Sequence, residues 1–196
     1  MEVIDMNKMG QEQAAEKAAE LLSQGKVLVA PTDTVYGLLA DASNEGAVAQ
    51  VFAIKGRSRE KELPLFVQDI AAAEELAEVS RQQRKFLESV WPGKVTVVLK
   101  SKVLGKETIG LRVPDFPFLS LVLGVARGPV TGTSANVSGM ASASSAREAV
   151  WQFKNQEHQP DAVFDGGELP PSLSSTVVDL TGDKPKILRK GAVEIV

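Results

Sequence analysis

Val27-Leu-Val-Ala-Pro31-Thr-Asp-Thr-Val-Tyr-Gly37, followed across a helical stretch by Lys55-Gly-Arg-Ser-Arg-Glu-Lys61, decides the fold. The apolar run Val27 to Ala30 stops at Pro31, turns through Thr32, Asp33 and Thr34, passes Tyr36-Gly37, crosses a helix and lands on a cationic loop. A short buried strand ending in hydroxyl and carboxylate side chains presents polar groups at a sheet-edge crevice, where α/β proteins hold ligands. The same three polar residues also suit a turn that merely caps itself.

Working outward, the alanines and leucines at 14, 15, 18, 19, 21 and 22 recur at helical spacing and predict an amphipathic helix over 11–24 that ends at Gly25. Asn44 is placed to cap a second helix with Val48, Val51 and Phe52 on its core face and Lys55 in its last turn. Pro64 to Val67 reads as a short strand, Asp69 to Ser80 and Gln82 to Val90 as helices, and Val95 to Leu99 as a strand after the break at Trp91-Pro92-Gly93. In the next strand Ile109, Leu111 and Val113 fall on one face and Thr108, Gly110 and Arg112 on the other. An arginine centred in a strand beside a position without a side chain is suited to grip a carboxylate or phosphate with two teeth; a surface arginine on an edge strand is the plainer alternative. A helix over 116–125 and a strand over 129–133 lead to Ser134-Ala-Asn-Val-Ser-Gly139, where Ser134 and Asn136 point the same way if the chain stays extended. A helix over 145–153, a loop rich in Gly, Pro and Ser over 165–174, and strands over 176–180 and 186–189 close the chain.

The 196 residues suit one domain with a substantial core. A net charge of −3 does not suit a protein whose whole surface coats nucleic acid, so any positive field is local. The absence of cysteine excludes disulfides, thiolate nucleophiles and cysteine zinc sites, and the one histidine, His158, lies in a polar run where it reads as solvated. The N-terminus does not read as a signal peptide, and no apolar run approaches the ~20 residues of a membrane span, so a soluble cytoplasmic protein is expected. There is no Walker loop, no dinucleotide fingerprint and no metal-ligand cluster. Cations, hydroxyls and amides without a strong general base describe a site that positions anionic substrates and stabilises charge. A nucleoside triphosphate with a small carboxylic acid fits.

Several motifs now stand in order: Pro31-Thr-Asp-Thr-Val-Tyr-Gly37, Lys55-Gly-Arg57, Trp91-Pro-Gly93, Gly110-Leu-Arg-Val-Pro114, Ser134-Ala-Asn-Val-Ser-Gly139, Ser175-Thr-Val-Val-Asp179 and Ile187-Leu-Arg189. Together they resemble the YrdC/TsaC family of threonylcarbamoyl-AMP synthases in its short, single-domain form, over about Ala14 to Ala192. The resemblance implies a single YrdC-like domain over 1–196, an α/β fold with a twisted mixed sheet, flanking helices (YrdC/RibB-like) and a concave, positively charged ligand face. It implies formation of L-threonylcarbamoyladenylate and pyrophosphate from L-threonine, bicarbonate and ATP, with Mg2+ accompanying ATP and no protein-bound metal. Its product feeds the threonylcarbamoyladenosine modification of tRNA through downstream transfer proteins.

By the same resemblance, Thr34, Arg112, Ser134 and Ser175 hold threonine, with Arg112 on its carboxylate. Lys55, Arg57, Lys61, Thr108, Asn136, Ser144 and Arg189 hold the nucleotide, and Lys55, Arg57, Ser134 and Asn136 form the catalytic group. Replacing Arg112 by lysine is then expected to raise the threonine KM with folding intact. Two departures stand out: Lys61 precedes Glu62-Leu63-Pro64 where members often show Lys-Pro-Leu, and a threonine-contacting histidine has no counterpart, Phe66 or Gln68 standing near its place. Other readings of the same fold are a double-stranded RNA-binding or ribosome-maturation module, a YciO-like paralogue lacking the Lys-x-Arg and Ser-x-Asn pairs, and a carbamoyltransferase domain using another carbamoyl adenylate.

Overall fold

The structure, a computed structural model, describes residues 1–58, 62–126 and 128–195. In chain order its elements are β1 (Glu2–Asp5), α1 (Met6–Met9), α2 (Gln11–Ser23), β2 (Leu28–Ala30), β3 (Gly37–Leu39), α3 (Glu45–Lys55), β4 (Leu65–Phe66), α4 (Ile70–Leu76), α5 (Arg81–Val90), β5 (Val95–Lys100), β6 (Thr108–Arg112), α6 (Pro117–Val125), β7 (Val130–Thr131), β8 (Thr133–Ser134), α7 (Ala146–Phe153), β9 (Ala162–Asp165), β10 (Thr176–Asp179) and β11 (Lys186–Arg189). The α/β class and the mixed strand directions are those expected from the sequence. The strands are divided between two sheets, a five-stranded one in the order β1-β9-β2-β3-β8 and a six-stranded one in the order β11-β10-β5-β6-β4-β7.

The five-stranded sheet is covered on both faces, which is why its central strands read as unbroken apolar runs. On β2, Leu28 and Ala30 face a core built with Ala14, Ala15, Ala18 and Leu22 of α2 and Phe118, Leu119, Val122 and Leu123 of α6. Val29 faces the opposite core, with Val51, Phe52 and Ile54 of α3 and Ala146, Ala149 and Phe153 of α7. The helix ends follow the sequence signals: Asn44 accepts from the N–H of Ala47, Asp69 from Ala72, Ser145 from Glu148, and Ser80 forms a reciprocal capping box with Gln83.

The six-stranded sheet is covered on one face only. Val95, Val97, Leu99, Ile109, Leu111 and Val178 pack against Ala73 of α4 and Leu87 of α5. The alternate positions Thr96, Val98, Thr108, Gly110, Arg112 and Val177 face a cleft instead. Val97 pairs with Leu111 and Val98 with Gly110, so the period-2 pattern of two strands coincides in space.

The chain passes from one sheet to the other at Gly132. β7 pairs with β4 in the six-stranded sheet, and β8, one residue later, pairs with β3 in the five-stranded sheet. Gly132 donates its N–H to the Pro64 carbonyl at 2.7 Å, and a Cβ there would lie 2.7–2.9 Å from the Phe66 ring. A side chain at 132 would therefore displace an aromatic ring at the junction of the sheets. Strands β1, β3 and β9 went unassigned in the sequence: each is three or four residues long and none shows a polar alternation.

Candidate active site

The two sheets and the loops at their junction enclose a cleft of about 830 Å³, within the range of small-molecule sites. Its described lining carries four cations, Lys55, Arg57, Arg112 and Arg189, against one carboxylate, Glu62. The concave face is thus locally cationic although the whole chain is acidic.

The turn after β2 divides three tasks among three residues. Thr32 closes the turn: its Oγ1 accepts from the N–H groups of Thr34 (3.0 Å) and Val35 (3.3 Å) and donates to the Val35 carbonyl at 2.7 Å. Thr34 turns its hydroxyl toward the cleft, 3.4 Å from the Nη1 donor of Arg112. Asp33 points behind the cleft wall and pairs with Arg112 through Nη2, both side chains being 5% exposed or less. A capping turn and a binding turn are therefore the same turn here.

Arg112 is held on every side. Its Nε donates to the Gly93 carbonyl at 2.8 Å, which gives the Trp91-Pro92-Gly93 break its local purpose, and its guanidinium carbon lies 5.7 Å from the centroid of the Phe66 ring. Burial lowers the Arg112 pKa and the Asp33 carboxylate opposes that shift. Of the five N–H groups of the fork, those on Nε, Nη1 and Nη2 named above are engaged. Among the described residues one N–H on each terminal nitrogen finds no acceptor and is left for a ligand, enough for a two-toothed carboxylate contact.

Across the cleft, the end of α3 explains the Lys-Gly-Arg spacing. Gly56, at φ 59°, adopts the left-handed conformation, while the N–H groups of Gly56 and Arg57 return to the carbonyls of Ala53 and Phe52 in a Schellman arrangement. Lys55 is thereby kept inside and Arg57 sent along the rim. The Lys55 ammonium donates to the carbonyls of Ser134 (2.6 Å) and Asn136 (3.2 Å) and to Asn136 Oδ1 (3.2 Å). Ser134 Oγ also donates to Asn136 Oδ1 at 2.6 Å, and Asn136 Nδ2 donates to the carbonyls of Val137 and Met140. The three ammonium protons and the whole Asn136 amide are therefore spent on the shape of the 134–140 turn. Burial, followed by the neighbouring Arg57, lowers the Lys55 pKa to about 8. Arg57 differs: its Nε is buried and finds no hydrogen-bond partner among the described residues.

On β10 and β11, Arg189 donates from Nε and Nη2 to the Ser175 carbonyl and from Nη2 to the Ser175 hydroxyl, which also shares a 2.8 Å hydrogen bond with Thr96. Tyr36, fully buried, donates its hydroxyl to the Gly167 carbonyl at 2.6 Å and accepts from the Gly166 N–H. It pins the start of the 166–174 loop, whose far end, Ser174, borders the cleft.

A family model described as "Telomere recombination", Sua5/YciO/YrdC, matches residues 20–191. The chain belongs to the Sua5/YciO/YrdC family. It is similar to the threonylcarbamoyl-AMP synthase of Pyrococcus abyssi (33% identical over 186 residues, 91% of this chain and 54% of that protein) and to the putative threonylcarbamoyl-AMP synthase of Methanocaldococcus jannaschii (32% identical over 203 residues, 100% of this chain and 94% of that protein). Among solved structures it is similar to P. abyssi Sua5 complexed with L-threonine, with a TM-score of 0.88, 30% identity, and coverage of 97% of this chain and 58% of that one. The chain thus spans about half of the P. abyssi relative and nearly all of the M. jannaschii one.

Of the residues expected from the family resemblance, Thr34, Lys55, Arg57, Thr108, Arg112, Ser134, Asn136, Ser175 and Arg189 all line the one cleft. Ser144 does not: it sits before α7 and its hydroxyl donates to Glu148 at 3.1 Å. Lys61 lies outside the described residues. Sequence reasoning missed the parts played by Asp33, Gly93, Phe66 and Thr96. Thr96 had a signal, a hydroxyl on the same face of its strand as the Arg112 row; the other three act through partners distant in sequence.

Proposed function

We propose that this protein is a threonylcarbamoyl-AMP synthase acting as a single YrdC-like domain in the cytoplasm. The observation that carries the reading is the meeting, in one cleft, of a buried arginine fork at Thr34 with the cationic Arg57 rim and the Ser134–Asn136 turn. The likeness to relatives bearing that activity supports it. Threonine lies with its carboxylate on the free N–H groups of Arg112 and its polar groups among Thr34, Ser134 and Ser175. Arg57, whose Nε finds no partner among the described residues, and Arg189 take the triphosphate, and Thr108 borders the nucleotide. Lys55 and Asn136 act through the turn they hold. Magnesium enters with ATP as its counterion.

The threonine amine attacks the carbon of bicarbonate with loss of water, the resulting carbamate oxygen attacks the α-phosphorus, and pyrophosphate leaves. Arg57 and Arg189 stabilise charge on the departing pyrophosphate, and positioning supplies most of the acceleration. The product passes to tRNA threonylcarbamoyl-transfer proteins. The test is pyrophosphate release with threonine, bicarbonate and ATP omitted in turn: each omission is expected to abolish it. Release without threonine, or tight salt-sensitive binding of duplex RNA by a protein that releases no pyrophosphate in the complete mixture, defeats the proposal.

A further inference from the structure

The cleft holds four cations, yet its two proposed ligands are anions of very different charge, and among the described residues only Arg112 forms an ion pair within it. Asp33 is the partner, its side chain 5% exposed and absent from the cleft lining. Its second oxygen, Oδ2, accepts the N–H of Asp115 at 3.2 Å, so the carboxylate is fixed at both ends. Arg189 lines the same cleft as Arg112. Without a counter-charge, Arg112 and Arg189 would form a continuous field for any polyanion.

We infer that Asp33 sets the anion selectivity of the Arg112 subsite, admitting a carboxylate and turning phosphates away toward Arg57 and Arg189. This rests on the proposed activity. The paired fork is neutral before ligand arrives, so a zwitterionic amino acid enters without building net charge. Repulsion from the fixed Asp33 carboxylate scales with ligand charge, so pyrophosphate at this position is repelled roughly two to three times as strongly as a monocarboxylate. The hydrogen-bond geometry alone cannot make this distinction, because the two free N–H groups of Arg112 suit either anion.

Calorimetric titration of threonine into the protein, with and without saturating inorganic pyrophosphate, tests the inference. In the wild type, pyrophosphate is expected to leave the threonine Kd unchanged. In Asp33→Asn, which keeps the acceptor oxygen and loses the charge, pyrophosphate is expected to compete with threonine and raise its apparent Kd by about tenfold or more, the scale of a close charge pair. Asp33→Glu restores the wild-type pattern. A merely structural role for Asp33 would weaken threonine binding in Asp33→Asn without making pyrophosphate a competitor, and that result overturns the inference. So does displacement of threonine by pyrophosphate from the wild type, an arm that stands even if both variants fail to fold. Absence of any threonine binding to the wild type defeats the proposed activity and the inference with it, which separates that failure from the others.

Discussion

Arg112→Met removes the charge at the centre of the threonine subsite, and the structure gives the consequence for folding. The substitution leaves the Asp33 carboxylate at 5% exposure with the Asp115 N–H as its remaining hydrogen-bond donor, and the Gly93 carbonyl loses the Nε donor at 2.8 Å. Removing one partner of a buried ion pair costs about 3 to 5 kcal/mol, because the other charge stays desolvated. For a chain of this size that lowers the Tm by roughly 6 to 20 °C. The double variant Asp33→Asn, Arg112→Met has no stranded charge, and it is expected to recover about 2 kcal/mol or more of the loss, a coupling typical of residues in direct contact. Urea denaturation followed by tryptophan fluorescence measures both, since Trp91 is 6% exposed and adjoins the turn that supplies the Gly93 carbonyl. A single variant within about 1 kcal/mol of wild type, or a double variant no more stable than the single, would refute the ion pair as a structural element. Arg112→Lys, expected from the sequence to leave folding intact, keeps a positive charge beside Asp33 and strands no carboxylate.

Two further outcomes follow from other parts of the cleft. The fold lowers the Lys55 pKa from 10.5 to about 8, chiefly through burial, so between those values the unfolded chain binds more protons and Lys55 contributes stability that rises with pH. Activity should move the other way, with an alkaline limb near pH 8, because a neutral amine has two N–H groups for three acceptors; denaturation midpoints from pH 7 to 10.5 that change identically in wild type and Lys55→Met would discard both statements. Gly132→Ala places a Cβ against the Phe66 ring and should cost about 1 to 3 kcal/mol as overpacking. It should also raise the threonine KM, since that ring lies under Arg112, and an unchanged KM together with an unchanged Tm would remove Gly132 from the account.

Local physics made most of the elements legible. Helix α3 is written in the sequence from the Asn44 cap to the Gly56 stop, and β6 in the alternation of Ile109 and Leu111 with Thr108, Gly110 and Arg112, because capping and periodicity act over a few residues. The polar turns at 32–34 and 134–136 were visible as hydroxyls and amides that interrupt apolar strands. Strand parity put Arg112 on one face with Thr108 and Gly110 but left a surface arginine on an edge strand as the alternative; the cleft decided between them.

Tertiary structure decided what those groups do. Asp33 and Arg112 are 79 residues apart, and Lys55 and Asn136 are 81 apart, and no periodicity within either segment specifies the pairing. At Gly132, where the chain passes between the sheets, the Phe66 ring fills the space where a side chain would stand. Lys55 and Arg57, alike in a sequence motif, part company because the left-handed turn at Gly56 sends one inward to three acceptors and the other to the rim, where its Nε finds no partner among the described residues. Sequence fixes the chemical types and their local direction; burial and partner choice, which set charge state and free hydrogen-bonding capacity, arise only when distant segments close on one another.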